Sequence, residues 1–277
     1  MPDAELVERL KSHLADEFSR GLLQGALDAL VQPNVNTRVQ HFSVSMRELS
    51  NHSLETLAPD DDAIQGCSWY KHDKTANGPT RRQRALYASR GGLTDAFIRK
   101  ELDLDPKDFH QDFASAFKEL NKRTHLRPNT VITDPAKIED FANEGLGALC
   151  EIFDVAKQIR EQLCKKIEAH LHDEAVKQFL NETIDSLDIL GGRYETGIVF
   201  PEEMRVVSIN ANQIRYEVSG SVDVTIHWGA GDDSASMDEN FPFACNTAAP
   251  VTTPLTFDSN LTEMKVDTTG WHGGDEQ

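Results

Sequence analysis

Ile214-Arg215-Tyr216-Glu217-Val218-Ser219-Gly220-Ser221-Val222-Asp223-Val224-Thr225-Ile226-His227-Trp228 alternates apolar and polar residues over most of its length. A period of two places every second side chain on one face of a strand. Val206 and Ile209 extend the β-rich pattern upstream, from about residue 194. Phe241-Pro242-Phe243 and Leu255-Thr256-Phe257 are candidate later strands. Before them, Gly229 to Asn240 reads as an exposed polar loop carrying Asp232, Asp233, Asp238 and Glu239, with metal binding as its lesser role. Gly191-Gly192 marks the change of character.

Most of the chain before those glycines reads as helix. Leu6, Leu10, Leu14, Phe18 and Leu22 form one stripe, which predicts a helix from about 3 to 31, closed by Pro33. Val35, Val39, Phe42, Met46 and Leu49 predict a second from about 35 to 58. Residues 59 to 80 read as a connection, with Cys67-Ser68-Trp69-Tyr70 as its apolar patch. Thr80 caps a basic helix from Arg81 to about Ser89, and Thr94 starts a short one through Leu102. Asp105-Pro106 and Asp134-Pro135 are start signals. The first opens a helix that buries Phe109, Phe113, Phe117 and Leu120 and ends near His125. The second opens a long helix to about 172, followed by another to about Leu187. The fold class expected is α+β: a helical region over 1–190, a small antiparallel β unit over 191–267 packed on it, and a mobile tail over 268–277. Trp228, Phe241 and Phe243 are expected to seal that junction.

The chain has 277 residues, 39% of them hydrophobic, which is enough for a sizeable core. No apolar run approaches the roughly 18–20 residues that span a bilayer, and Met1-Pro2-Asp3-Ala4-Glu5 has no signal-like apolar core. A cytoplasmic protein without membrane attachment is the expectation. Cys67, Cys150, Cys164 and Cys245 make no C-x-x-C pair, which argues against a zinc knuckle or a disulfide framework.

The formal charge of −18 argues against holding duplex DNA on a broad surface, which takes many phosphate contacts. Two local basic clusters run against that charge: Arg81, Arg82, Arg84 with Arg90, and Lys118, Lys122, Arg123 with Arg127. His125 lies within the second. An imidazole beside fixed cations can transfer protons at a phosphate that those cations hold. The bland alternative is that the cations complement the helix dipole and His125 caps the last carbonyls. Gly91-Gly92 before Thr94 can form an anion nest, against a plain solvated basic face.

Arg47 and His52 resemble the arginine–histidine spacing of HEPN-type ribonucleases, in which arginine holds phosphate and histidine manages protons. Five residues at 3.6 per turn leave the two roughly 140° apart, so an irregular helix or a second subunit would have to unite them. A homodimer is therefore one expectation. Glu263-Met264-Lys265 near Asp258 resembles a restriction-type nuclease motif, in which acids bind magnesium. No cofactor is expected unless that metal-dependent alternative holds. His170, His172 and Asp173 form a lesser metal candidate, which most surface histidines are not.

A larger set of segments resembles a bacterial family described as predicted nucleases associated with prokaryotic PIWI proteins. These are Ser45-Met46-Arg47-Glu48-Leu49 with Leu57-Ala58-Pro59, Cys67-Ser68-Trp69-Tyr70, Pro79-Thr80-Arg81-Arg82-Gln83-Arg84 and Tyr87 to Asp95. Leu120 to Pro128, Gly220 to Gly229 and Phe241-Pro242-Phe243 complete the set. The resemblance implies a role in conflict or anti-phage defence, with nucleic acid, RNA in preference, as target. A PIWI-type protein or another defence component is the implied partner. His125, Arg123, Arg47 and His52 are then the catalytic candidates for phosphodiester hydrolysis or transfer. Arg81, Arg82, Arg84, Lys118, Lys122 and Arg127 are the candidate nucleic-acid contacts. The alternative is a non-catalytic accessory or interaction module, whose acidic surface docks a basic partner or mimics nucleic acid.

Overall fold

The computed structural model describes all residues except 34, 75, 106, 182–183, 230–232, 257–262 and 273–277, and leaves undescribed the side chains of 107–110, 112, 169–181 and 272. Pro106, Phe109, His170, His172, Asp173, Asp232, Phe257 and Asp258 therefore lie outside the described residues or side chains. Among the described residues the chain is α+β. Helices α1 (Ala4–His13), α2 (Glu17–Leu30), α3 (Arg38–Leu57), α4 (Asp61–Gln65), α5 (Arg81–Arg90), α6 (Asp95–Glu101), α7 (Lys107–Arg123), α8 (Pro135–Asn181) and α9 (Asp185–Asp188) come first. Strands β1 (Arg193–Ile209), β2 (Gln213–Trp228), β3 (Ala235–Pro250) and β4 (Glu263–Val266) follow in an antiparallel sheet of order β1-β2-β3-β4. None of the described helices is long and apolar enough to cross a membrane.

The chain divides into two compact units, Met1–Ile159 and Arg160–Gln277. In the first, a continuous apolar cluster joins Leu10, Leu23, Phe42, Met46, Leu49, Leu54, Phe113, Phe117, Leu120, Phe141 and Leu146. α3 lies in contact with α2, α5 and α7, so it is the central element of the unit.

Five expectations need correction. The first stripe is two helices, because Leu14 is extended and Asp16 caps α2, accepting the Ser19 N–H at 2.8 Å. Phe18, just inside that break, is consequently exposed. The connection after α3 holds the short helix α4, started by Asp60, whose carboxylate accepts from Asp62 N and Ala63 N. The two helices expected after Pro135 are one element, α8. The acidic loop is shorter than expected because β3 already runs from Ala235. Its polar side chains are strand partners: Thr225 donates to Asp238 at 2.7 Å, and Asn240 donates to Asp223 at 2.9 Å. Leu255 and Thr256 lie in turns, not in a strand.

In the second unit, β2 and β3 share one buried face. Ile214, Tyr216, Val218, Val222, Val224 and Ile226 meet Phe241, Phe243 and Cys245 there. Tyr216 satisfies its buried hydroxyl by donating to Pro254 O at 3.1 Å. The helical residues of this unit reach the sheet: the Cys164 thiol meets Met204 O at 3.8 Å, and Tyr194 accepts the Ile184 N–H at 2.8 Å. Edge strand β1 carries three register shifts and Pro201, features that discourage a second sheet from adding there. Gly220 faces one of those shifts. A Cβ on it would lie 2.0 Å from Phe200 O, so only glycine allows the backbones to approach.

Candidate nucleic-acid site

α5 begins with three cations in its first four residues. Its first turn holds no acid. Backbone dipoles make a helix N-terminus electropositive, so arginines there are electrostatically misplaced unless an anion joins them. The start is nevertheless sharply defined by a capping box. Gln83 N donates to the Thr80 hydroxyl at 3.3 Å, and the Gln83 side-chain oxygen accepts the Thr80 N–H at 2.8 Å.

That cap aims Arg81 and Arg82 into a cleft of about 560 Å³, walled by α3 (Asn51, Leu54, Glu55), the start of α5, and α7 (Phe113, Phe117). Arg81 is held at its inner end. Its Nε donates to Asn51 Oδ1 at 2.8 Å, and its guanidinium carbon lies 4.7 Å from the centre of the Phe117 ring. Among the described residues both Nη groups lack a partner, and their fork geometry matches phosphate oxygens. Arg82 is exposed beside it. Arg84 also lines the cleft but serves the frame: it donates to Ala58 O, the C-cap carbonyl of α3, at 2.7 Å and pairs closely with Asp61.

Arg90, at the other end of α5, is 3% exposed. It pairs closely with Asp95, lies 5.1 Å from the centre of the Trp69 ring, and is pulled down to about 10 by burial. Trp69 in turn donates to Gly91 O at 2.9 Å. The Gly91-Gly92 turn is therefore locked to the Cys67–Tyr70 patch. The Cys67 thiol in that patch is pushed up to about 11 by burial.

The second basic cluster is split. Arg123 is turned inward, donating to Thr130 O at 2.9 Å and lying 5.8 Å from the centre of the Phe141 ring. Thr130 is the buried hub of the loop after α7. Its hydroxyl donates to His125 O at 2.6 Å and accepts Arg127 N–H at 2.9 Å, while its carbonyl also takes Gln40 Nε2 at 3.0 Å. His125 and Arg127 thus stand exposed on a pinned loop just past the helix end. Lys118 is exposed, and Lys122 pairs with Glu119 at 3.3 Å.

The α3 pair is not brought together by its contacts. Arg47 binds Glu48 at 2.6 Å. His52 faces α2, 3.5 Å from Asp16 and edge-on to Phe18 at 5.0 Å. Glu263 and Lys265 on β4 pair with each other at 3.2 Å. Among the described residues, no group of three His, Cys, Asp or Glu side chains is placed to hold a metal ion.

Asn51, which holds Arg81, and Thr130, which orders the His125 loop, were not foreseen from the sequence; Phe117 was expected on the buried face of its helix but not as the flat wall under Arg81. The run of cations at a helix start was the available signal for the cleft. No sequence signal pointed to Asn51.

The fold is α+β, with a cleft lined by Arg81, Arg82 and Arg84 in its helical unit. Two family models, both described as predicted pPIWI-associating nuclease, match residues 11–149 and 156–272. The chain belongs to that family. No curated protein and no solved structure matches it.

Proposed function

We propose that the chain is a nuclease of a prokaryotic PIWI-associated defence system and acts on single-stranded nucleic acid, RNA in preference. The observation that carries this reading is Arg81, clamped by Asn51 and Phe117 with its outer fork unpaired among the described residues, at a helix N-terminus that itself favours an anion. Arg81 and Arg82 hold a backbone phosphate. His125 is the proton carrier, on the loop that follows the helix walling the cleft. From Phe117 to Arg123 is about 9 Å of helix at 1.5 Å per residue, a span that successive phosphates of one strand can cover. His52, Arg84 and Arg123 tie neighbouring segments together around it, while Arg47 pairs with Glu48 on its own helix. RNA is preferred because its 2′-oxygen can bond to the adjacent phosphorus as the P–O5′ bond breaks; His125 takes the 2′-hydroxyl proton and water supplies one to the leaving 5′-oxygen, which leaves a 2′,3′-cyclic phosphate and a 5′-hydroxyl.

A second reading, a non-catalytic accessory module, draws on one observation: Arg47, His52, Arg84, Lys122 and Arg123 all engage partners within the chain. Incubation with labelled single-stranded RNA and DNA, with magnesium and with chelator, separates the two. Cleavage that is lost on Arg81→Ala plus Arg82→Ala, and on His125→Ala, supports the nuclease. Binding without cleavage under every ionic condition supports the module and overturns the enzyme.

A further inference from the structure

The charge of the chain is unevenly shared. Residues 1–159 hold 20 Lys and Arg against 25 Asp and Glu, whereas residues 160–277 hold 8 against 21, a net of −13. The second unit therefore repels nucleic acid, and a ligand for it should be cationic.

One cleft in this unit, of about 560 Å³, combines aromatic and acidic walls. Met237, Glu239 and Phe241 alternate along β3 and share its inner face. The turn Thr269–His272 lays Trp271 across that face, 6.2 Å from the ring centres of both Phe241 and Trp228. Trp228 is itself anchored, donating to Leu190 O at 3.0 Å. Asp267 closes the rim, and its carboxylate accepts both the N–H and the hydroxyl of Thr269. Those two donors hold it below the ordinary carboxylate range, so it stays charged. Glu239 has no cationic partner among the described residues. Exposed Met237 adds a polarisable, adaptable wall.

We propose that this cleft is a docking site for a basic segment of a partner protein, with an arginine or lysine side chain lying against Trp271 and facing Glu239 and Asp267. An aromatic face attracts a cation through its ring quadrupole, and two carboxylates at the rim add charge and direction. Neutral apolar ligands leave both carboxylates unanswered, and anionic ligands are repelled by them. The site stands independently of the cleft at Arg81, which belongs to the other unit.

Calorimetric titration of the full chain with an oligo-arginine peptide tests this, with the neutral oligo-citrulline peptide and single-stranded oligouridine as controls. Glu239→Gln should weaken oligo-arginine binding on the order of tenfold, the scale of one well-placed charge and cation–π contact. Met237→Ser should weaken it as well, without the risk to folding that Trp271→Ala carries. Glu203→Gln, which removes the same charge from β1, should leave it unchanged. Equal losses from Glu203→Gln and Glu239→Gln would mean diffuse attraction and overturn the site. So would equal binding of the citrulline peptide, loss of oligouridine binding on Glu239→Gln, or no binding of oligo-arginine.

Discussion

Arg81 shows how little of an active-looking residue need be free. Its Nε and its flat face are occupied by Asn51 and Phe117, which removes most of its rotamer freedom before any ligand arrives. Losing its fork should cost about 1.5–3 kcal/mol, the usual worth of charge-assisted hydrogen bonds. Arg81→Ala is thus expected to weaken RNA binding at least tenfold in a filter-binding assay. Asn51→Ala should produce a smaller loss, since the charge remains and only its aim is relaxed. His125 is exposed, so His125→Ala should abolish cleavage while changing stability by less than about 0.5 kcal/mol. A large drop in melting temperature with retained activity would assign it to the fold. The thiol of Cys67 makes a different forecast. Burial raises it from 9.0 to about 11, so between those values the unfolded chain loses a proton that the folded chain keeps. Its contribution to stability is complete below pH 9 and falls away as pH climbs toward 11. Native protein at pH 8 should react slowly with a thiol reagent at this position, and denatured protein quickly.

Among the elements, α5 and β2 carry the sharpest local rules. The cap at Thr80 was legible because a threonine just ahead of a helical run is a local pattern, and the structure adds Gln83 as the other half of a capping box. Thr80→Ala should cost about 1 kcal/mol and blunt RNA binding, because the start of α5 sets the direction of Arg81. Chemical denaturation and binding measured on the same sample check both halves. Gly220 is the counterpart in the sheet. Gly220→Ala places a methyl against Phe200 O and should destabilise the second unit by far more than the roughly 0.5–1 kcal/mol that alanine normally contributes over glycine in regular structure. The first helical stripe illustrates a failure of periodicity. Leu10, Leu14 and Leu23 are all buried, but extended backbone at Leu14 and at the cap Asp16 resets the phase, and Phe18 falls outside.

On the scale of the molecule, charge governs what can bind where. Two phosphate contacts, from Arg81 and Arg82, predict a shallow salt dependence for single-stranded RNA, with log K against log salt sloping at about −1.4 at roughly −0.7 per contact. A slope several times steeper would mean a wider basic track than this cleft offers. The sheet, in turn, depends on helical residues of its own unit. A fragment of residues 190–277 lacks Cys164, Leu163, Ile167 and Leu187, all but the first fully buried. It is expected not to melt cooperatively on its own, because so short a chain buries too little apolar surface. A soluble fragment with a sharp thermal transition would overturn that expectation.

The α+β order, the cap at Thr80, the strand alternation from Ile214 to Ile226 and the family resemblance were all present in the sequence by itself. Each rests on residues a few positions apart, where backbone geometry converts spacing directly into a face or a cap. The long-range pairings were decided by the tertiary structure alone. Asn51 meets Arg81 across 30 positions, Arg84 reaches Ala58 across 26, and Gln40 reaches Thr130 across 90. The same packing turned Arg123 inward and left His125 outside, although the two are nearly adjacent in the chain. A side chain's partner depends on which helices lie beside it, and burial of the whole apolar cluster, not local spacing, selects that arrangement.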